Sequence, residues 1–142
     1  MKNLAKHKVA VRTREYIVQA IFQLLFNNDK KDSIIEQFQH EHQGKKIDFV
    51  LFEEVLSEID KKKDDFSSIL LNDLNLKKTE IEIVDKSILF YGIYELRNNL
   101  LPKEIVIDEC IRLSRKFSSP DSYKFINAYL DKLIKSDINL DK

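Results

Sequence analysis

Residues 80–98 read EIEIVDKSILFYGIYELRN, and this stretch decides the fold that the sequence predicts. Its first part is polar on one side of a helix, but between residues 88 and 96 only Gly92 and Glu95 interrupt the apolar residues. A helix that is apolar on nearly all sides must be covered by other helices. We therefore expect a central helix here, with the rest of the chain packed around it. Because glycine costs about 1 kcal/mol relative to alanine inside a helix, we interpret Gly92 as the point where a neighbouring backbone approaches closely.

The composition around this stretch favours helices throughout. The chain has 142 residues, enough to bury a core in one domain, and only two glycines and two prolines to form turns. Basic and acidic residues balance at 24 each, so the net charge does not indicate a nucleic-acid or membrane partner. A single cysteine excludes an internal disulfide and fits a reducing compartment. Since the basic N-terminus lacks an apolar signal segment, we expect a cytoplasmic protein.

Apolar periodicity predicts seven helices and no strands. The first six are expected at about residues 11–27, 33–43, 49–59, 66–74, 80–98 and 103–117, and the seventh follows residue 119. Four of these helices have an N-terminal signal in the sequence. Ser33 and Thr79 each precede a glutamate by three residues, as in a capping box, and Asp48 and Ser119 are good N-cap residues. Short connections between these helices predict a helical bundle.

The start of the predicted first helix is unusually basic. Residues 1–16 contain five basic residues and one acidic residue, and Lys8, Arg12 and Arg14 crowd the end of the helix that carries the positive dipole. One interpretation is a solvated basic terminus. The other is an anion site, in which these side chains and the unpaired amides of a helix start bind phosphates.

Other residues that could act as a nucleophile, a metal ligand or a ligand contact have simpler interpretations. Cys110 lies on the apolar side of the sixth helix, so we expect a buried thiol rather than a nucleophile. His40 and His42 are two residues apart and face different sides of a helix, so we expect neither a metal nor a cofactor. Phe125, beside Lys124, is rotated about 100° from the line of buried positions of the seventh helix, so we expect it at the edge of the core, where it is either a base-stacking ring or a partly covered core side chain.

Two segments resemble the NusB family of bacterial transcription antitermination factors. They are VRTREYIVQAIFQLLF at residues 11–26 and DKSILFYGIYELRNNLLPKEIVIDECIRLSRKFSSPDSYKFINAYLDKLI at residues 85–134. The more specific signal is in the second segment. There a helix ending in YEL is followed by a proline and an I-[ND]-E-x-[IV] segment, and then by D-S-x-K-F-[VI]-N-x-x-L-D-K, which matches residues 121–132.

The resemblance implies a fold, partners and RNA-contact residues. The fold is a single all-α domain, residues 1–142, in which two three-helix groups and an extra helix form sub-bundles of about residues 8–76 and 79–136. The implied partners are boxA-like single-stranded RNA of ribosomal-RNA transcripts, the ribosomal protein NusE and the RNA polymerase antitermination complex. With the basic start of the first helix included, the expected RNA-binding residues are Lys8, Arg12, Arg14, Phe22, Lys124 and Phe125.

Two alternatives remain beside this function. The chain could be a protein-binding helical module or a homodimer with little RNA binding, because some relatives of this fold form dimers that cover the RNA face. It could also be an accessory domain of an RNA-modifying system, since a similar domain precedes the catalytic domain of ribosomal-RNA cytosine methyltransferases. The sequence has no glycine-rich cofactor loop and no cysteine in a catalytic motif, so we expect a protein without enzymatic activity.

Overall fold

The computed structural model describes residues 2–74 and 81–136, and within these ranges the chain forms seven α-helices and no β-strand. In chain order the helices are α1 (Lys2–Phe26), α2 (Lys31–Glu41), α3 (Phe49–Lys61), α4 (Lys63–Leu74), α5 (Ile83–Asn98), α6 (Lys103–Phe117) and α7 (Ser122–Ser136). The predicted all-α fold is confirmed, and α6 has the bounds that its apolar periodicity predicted.

The helices form two compact units, Met1–Lys61 and Lys62–Lys142. In the first unit, α1, α2 and α3 pack against one another, and in the second, α5, α6 and α7 do the same. The extra helix, α4, belongs to the second unit. Its Phe66 contacts Phe90 of α5 edge-on, with ring centroids 5.5 Å apart, and its Asp65 forms an ion pair with Arg97 of α5 at 2.7 Å. The units therefore divide before α4, whereas the expected sub-bundles divided after it.

Helix α5 is the buried centre of the second unit. Ten of its sixteen residues are buried, as the apolar stretch predicted. A Cβ atom added at Gly92 would lie 3.1 Å from both Cys110 Sγ and Leu130 Cδ2. The close approach that we expected at Gly92 therefore exists, but the nearest atoms belong to side chains of α6 and α7 and not to a backbone.

The start of α1 differs from the prediction. The helix begins at Lys2 and not near residue 11. Apolar periodicity is absent from residues 2–10, but these residues also contain no glycine or proline, and lysine, alanine and leucine favour the helical backbone. The unpaired amides of α1 therefore belong to its first turn, before Lys8. The interpretation that such amides bind phosphates beside Arg12 and Arg14 is wrong.

One predicted cap is confirmed and two are wrong. Asp48 caps α3, because its Oδ1 accepts a hydrogen bond of 3.0 Å from the backbone N–H of Leu51. Ser33 is instead the third residue of α2, and no side chain caps that helix. Ser119 precedes a turn, and α7 begins only at Ser122. The expected cap at Thr79 lies outside the described residues, and α5 begins directly after Glu82 without a side-chain cap.

Candidate nucleic-acid interface

One side of α1 combines cationic and aromatic side chains. At about 100° per helical residue, Lys8, Arg12, Phe22 and Phe26 lie within about 40° of a single line along the helix. The buried side chains of Ile17, Ile21 and Leu24 lie on the opposite side. Lys8 is exposed, Arg12 and Phe22 are half-buried, and Phe26 is 59% exposed. We call these four residues the outer face of α1.

The aromatic end of the outer face is a ring pair. The ring centroids of Phe22 and Phe26 lie 5.2 Å apart with an interplanar angle of 34°. Only Phe22 was expected from the sequence, although the spacing of four residues between the two phenylalanines is a signal for such a pair. Phe26 is thus a candidate contact that sequence reasoning missed.

Arg14 does not belong to the outer face. It follows Arg12 by two residues, which turns it about 200° around the helix axis. Its side chain is half-buried. The two arginines that were expected to share one phosphate site therefore point to different sides of α1.

The connection between α2 and α3 lies against α1. The guanidinium of Arg12 donates a hydrogen bond of 3.1 Å from Nη1 to the backbone carbonyl of Lys46. One residue further along α1, the hydroxyl of Thr13 accepts a hydrogen bond of 3.0 Å from the backbone N–H of Asp48 and donates one of 2.7 Å to the carbonyl of Val9. We call residues 42–48 the α2–α3 connection, and these bonds fix its second half.

An aromatic stack fixes the first half of the same connection. The rings of Tyr16 and His42 are stacked, with centroids 4.1 Å apart and an interplanar angle of 21°. The edge of the Tyr16 ring also meets Phe38 of α2, at 6.1 Å between centroids. The ammonium of Lys45 donates a hydrogen bond of 3.4 Å to the Tyr16 hydroxyl. Lys45 and Lys46 are both exposed, so two cations lie beside the middle of α1.

The second unit carries the other predicted RNA-binding pair, Lys124 and Phe125, on the first turn of α7. Lys124 is exposed and lies 3.6 Å from the carboxylate of Asp121. Phe125 is half-buried, whereas Ile126 and Leu130 are fully buried. The predicted position of Phe125 at the edge of the core is confirmed.

A buried carboxylate fixes the start of α7. Asp85 of α5 is 7% exposed and accepts hydrogen bonds from the hydroxyl groups of Ser118 and Ser122, the latter at 3.1 Å. Ser118 ends the preceding helix and Ser122 begins α7, so one carboxylate fixes both sides of the turn. Lys124 and Phe125 follow within the same helical turn. The role of Asp85 was not expected from the sequence, because its serine partners lie more than thirty residues away.

The described residues hold no obvious metal centre or membrane span. Within residues 2–74 and 81–136, no three histidine, cysteine, aspartate or glutamate side chains are grouped so that they could hold a metal ion. Cys110 is buried, as expected for a packing thiol. No helix in these ranges is both long enough and apolar enough to cross a membrane.

Comparison with known proteins gives the class of the chain, that of the transcription antitermination proteins. A transcription antitermination protein NusB from Hydrogenovibrio crunogenus is 33% identical over 94% of this chain and 84% of its own length. Another from Psychromonas ingrahamii is 33% identical over 88% of this chain and 87% of its own length. The family model of NusB matches residues 11–135, and the chain belongs to the NusB family. A solved structure of T. maritima NusB superposes with a TM-score of 0.75 at 25% identity, covering 88% of this chain and 89% of that one.

Proposed function

We propose that this protein binds boxA-type single-stranded RNA of ribosomal-RNA transcripts together with the ribosomal protein NusE. In this role it would act in the cytoplasm as a non-catalytic part of the RNA polymerase antitermination complex. The observation that carries the proposal is the outer face of α1, which aligns two cations and two aromatic rings on one side of a helix. Single-stranded RNA is bound by this combination, because cations hold its phosphates and aromatic rings stack on its bases.

The spacing on α1 supports different roles for the two ends of the outer face along the RNA strand. Lys8 and Phe22 are fourteen residues apart, which corresponds to about 21 Å of helix. Lys8 and Arg12 at one end would hold phosphates, while the pair of Phe22 and Phe26 at the other end would offer a ring face to a base. On α7, Lys124 and Phe125 repeat the pairing of a cation with a ring.

The charge balance supports the need for a protein partner. The chain has 24 basic and 24 acidic residues, so its global field does not attract RNA. A protein that contacts few phosphates releases few counterions and binds RNA weakly. We therefore expect weak binding of boxA RNA by the protein alone and much tighter binding when NusE completes the surface.

The test is a gel-shift titration of boxA RNA and of a scrambled RNA of the same composition, each with and without NusE. We expect NusE to strengthen binding of boxA RNA by at least tenfold, about 1.4 kcal/mol, and to have little effect on the scrambled RNA. Equal affinities for the two RNAs in the presence of NusE would refute the proposal.

The outer face of α1 also gives the homodimer alternative a specific basis. Phe26 is 59% exposed and its ring centroid lies 5.2 Å from that of Phe22, so the two phenylalanines form one apolar patch on this face. Exposed apolar side chains on one surface are typical of protein interfaces. Sedimentation at increasing protein concentration tests this alternative. A dimer that the substitution Phe26→Glu dissociates, and that RNA does not bind unless it dissociates, would support the homodimer.

A further inference from the structure

We propose that the α2–α3 connection is a further RNA-contact surface, on which Lys45 and Lys46 hold phosphates of the bound single strand. This inference rests on the proposed RNA-binding function and adds two residues to its site. In the sequence, the glycine and two lysines of residues 44–46 indicate only the end of a helix.

These two cations are not neutralised by acidic neighbours. Among the residues that the structure describes, neither Lys45 nor Lys46 forms an ion pair with a carboxylate. The nearest acidic residues in the chain have other partners. Glu41 accepts a hydrogen bond of 3.1 Å from Gln37, and Asp48 caps α3. The positive charge of the connection is therefore available to an anionic ligand.

The connection is also held in place before any ligand binds. Arg12 bonds to the carbonyl of Lys46, and the Tyr16–His42 stack is joined to Lys45 through the Tyr16 hydroxyl. An exposed loop normally loses conformational entropy when it binds. Here the contacts to α1 have already restricted the backbone, so less entropy is lost when phosphates bind.

The two lysines are continuous with the outer face of α1. Lys8 precedes Arg12 by one helical turn on the same side of the helix. Since Arg12 bonds directly to the backbone of Lys46, the two lysines extend the cationic end of the outer face. Phosphate contacts of this kind position a strand without reading its sequence. We therefore expect the connection to add affinity for any single-stranded RNA that the site accepts.

The test compares the salt dependence of RNA binding by the wild type and by the double variant Lys45→Ala/Lys46→Ala. Removing one phosphate contact to a single strand makes the negative slope of the logarithm of the binding constant against the logarithm of the salt concentration shallower by about 0.7. For the two lysines we therefore expect a slope shallower by about 1.4. Between 50 and 200 mM salt, the affinity of the wild type should therefore fall about sevenfold more than that of the variant. The matched control is Lys30→Ala/Lys61→Ala, which removes the same charge from exposed positions in the same unit and should keep the wild-type slope.

The outcomes separate this inference from the proposed function. If the wild type does not prefer boxA RNA even with NusE, the proposed function fails, and the inference fails with it. If the wild type binds boxA RNA and both double variants have the same salt slope, only the inference is overturned. A Lys45/Lys46 double variant with normal affinity for RNA alone but weaker binding of NusE would also overturn it, because the connection would then be a protein-docking surface.

Discussion

Gly92→Ala tests whether the close packing at the centre of α5 outweighs helix propensity. Alanine gains about 1 kcal/mol over glycine inside a helix, so the local effect is stabilising. The added Cβ would lie 3.1 Å from Cys110 Sγ and 3.1 Å from Leu130 Cδ2, closer than ordinary van der Waals contact. Both neighbours are completely buried and cannot move towards solvent.

The packing cost should exceed the propensity gain. Adding a methyl group to a filled core typically costs about 1–3 kcal/mol. After subtraction of the propensity gain, we expect a net loss of about 1 kcal/mol in the free energy of unfolding. In a Cys110→Ala background the sulfur is removed, and the new methyl group occupies part of its volume. The same Gly92 substitution should then be nearly neutral, which gives a coupling energy of about 1 kcal/mol.

Urea unfolding of the two single variants, the double variant and the wild type measures this coupling. Gly44→Ala is the control, because Gly44 has a φ of +82° and no atom within 4 Å of an added Cβ. Its substitution should cost about 1–2 kcal/mol through backbone strain alone, equally in both Cys110 backgrounds. A stabilised Gly92→Ala variant, or an equal loss with and without the sulfur, would show that close packing does not decide the effect.

Three further predictions concern the second unit. Asp85→Ala removes the acceptor of the Ser118 and Ser122 hydroxyls and should lower the free energy of unfolding by about 2–4 kcal/mol; a reduction under about 1 kcal/mol in urea unfolding would contradict its anchoring role. Phe125→Ala should cost less than the roughly 3–5 kcal/mol of a fully buried phenylalanine and should weaken RNA binding by about 1–3 kcal/mol, whereas Phe125→Tyr should keep both properties. A folded Phe125→Ala variant that binds RNA with wild-type affinity would rule out base stacking. Cys110 should react slowly with thiol reagents in the native protein, and Cys110→Ala should leave RNA affinity unchanged at a stability cost on the order of 1 kcal/mol; rapid labelling would contradict its burial.

The sequence predicted the elements whose signal is local and repeated. Helix α6 has the bounds that the sequence predicted, and the nearly unbroken apolar run of α5 indicated its burial. Asp48 was recognised as a cap because the interaction spans only three residues. The half-burial of Phe125 followed from its angle to the buried stripe of α7. In each case, residues within one or two helical turns contain the deciding information.

The sequence did not predict features that depend on distant residues or on the absence of a signal. Helix α1 extends to Lys2 without an apolar stripe, because nothing in residues 2–10 breaks a helix. Ser122 was not expected to begin α7, since its partner Asp85 lies on another helix. The place of Lys46 beside Arg12 depends on a bond across 34 residues. Helical periodicity cannot indicate such contacts.

The early start of α1 changes how its cations must recognise an anion. Had the helix begun near Arg12, backbone amides and the helix dipole would have contributed to phosphate binding. With the helix starting at Lys2, the amides near Arg12 are already bonded within the helix, and only side chains remain. Arg12 also uses one of its five N–H donors to hold the carbonyl of Lys46. Arg12→Lys should therefore weaken RNA binding although it preserves the charge, because a single ammonium cannot match a guanidinium that binds the carbonyl of Lys46 and keeps further donors for a phosphate. A gel-shift titration in which Arg12→Lys binds boxA RNA as tightly as the wild type would contradict this.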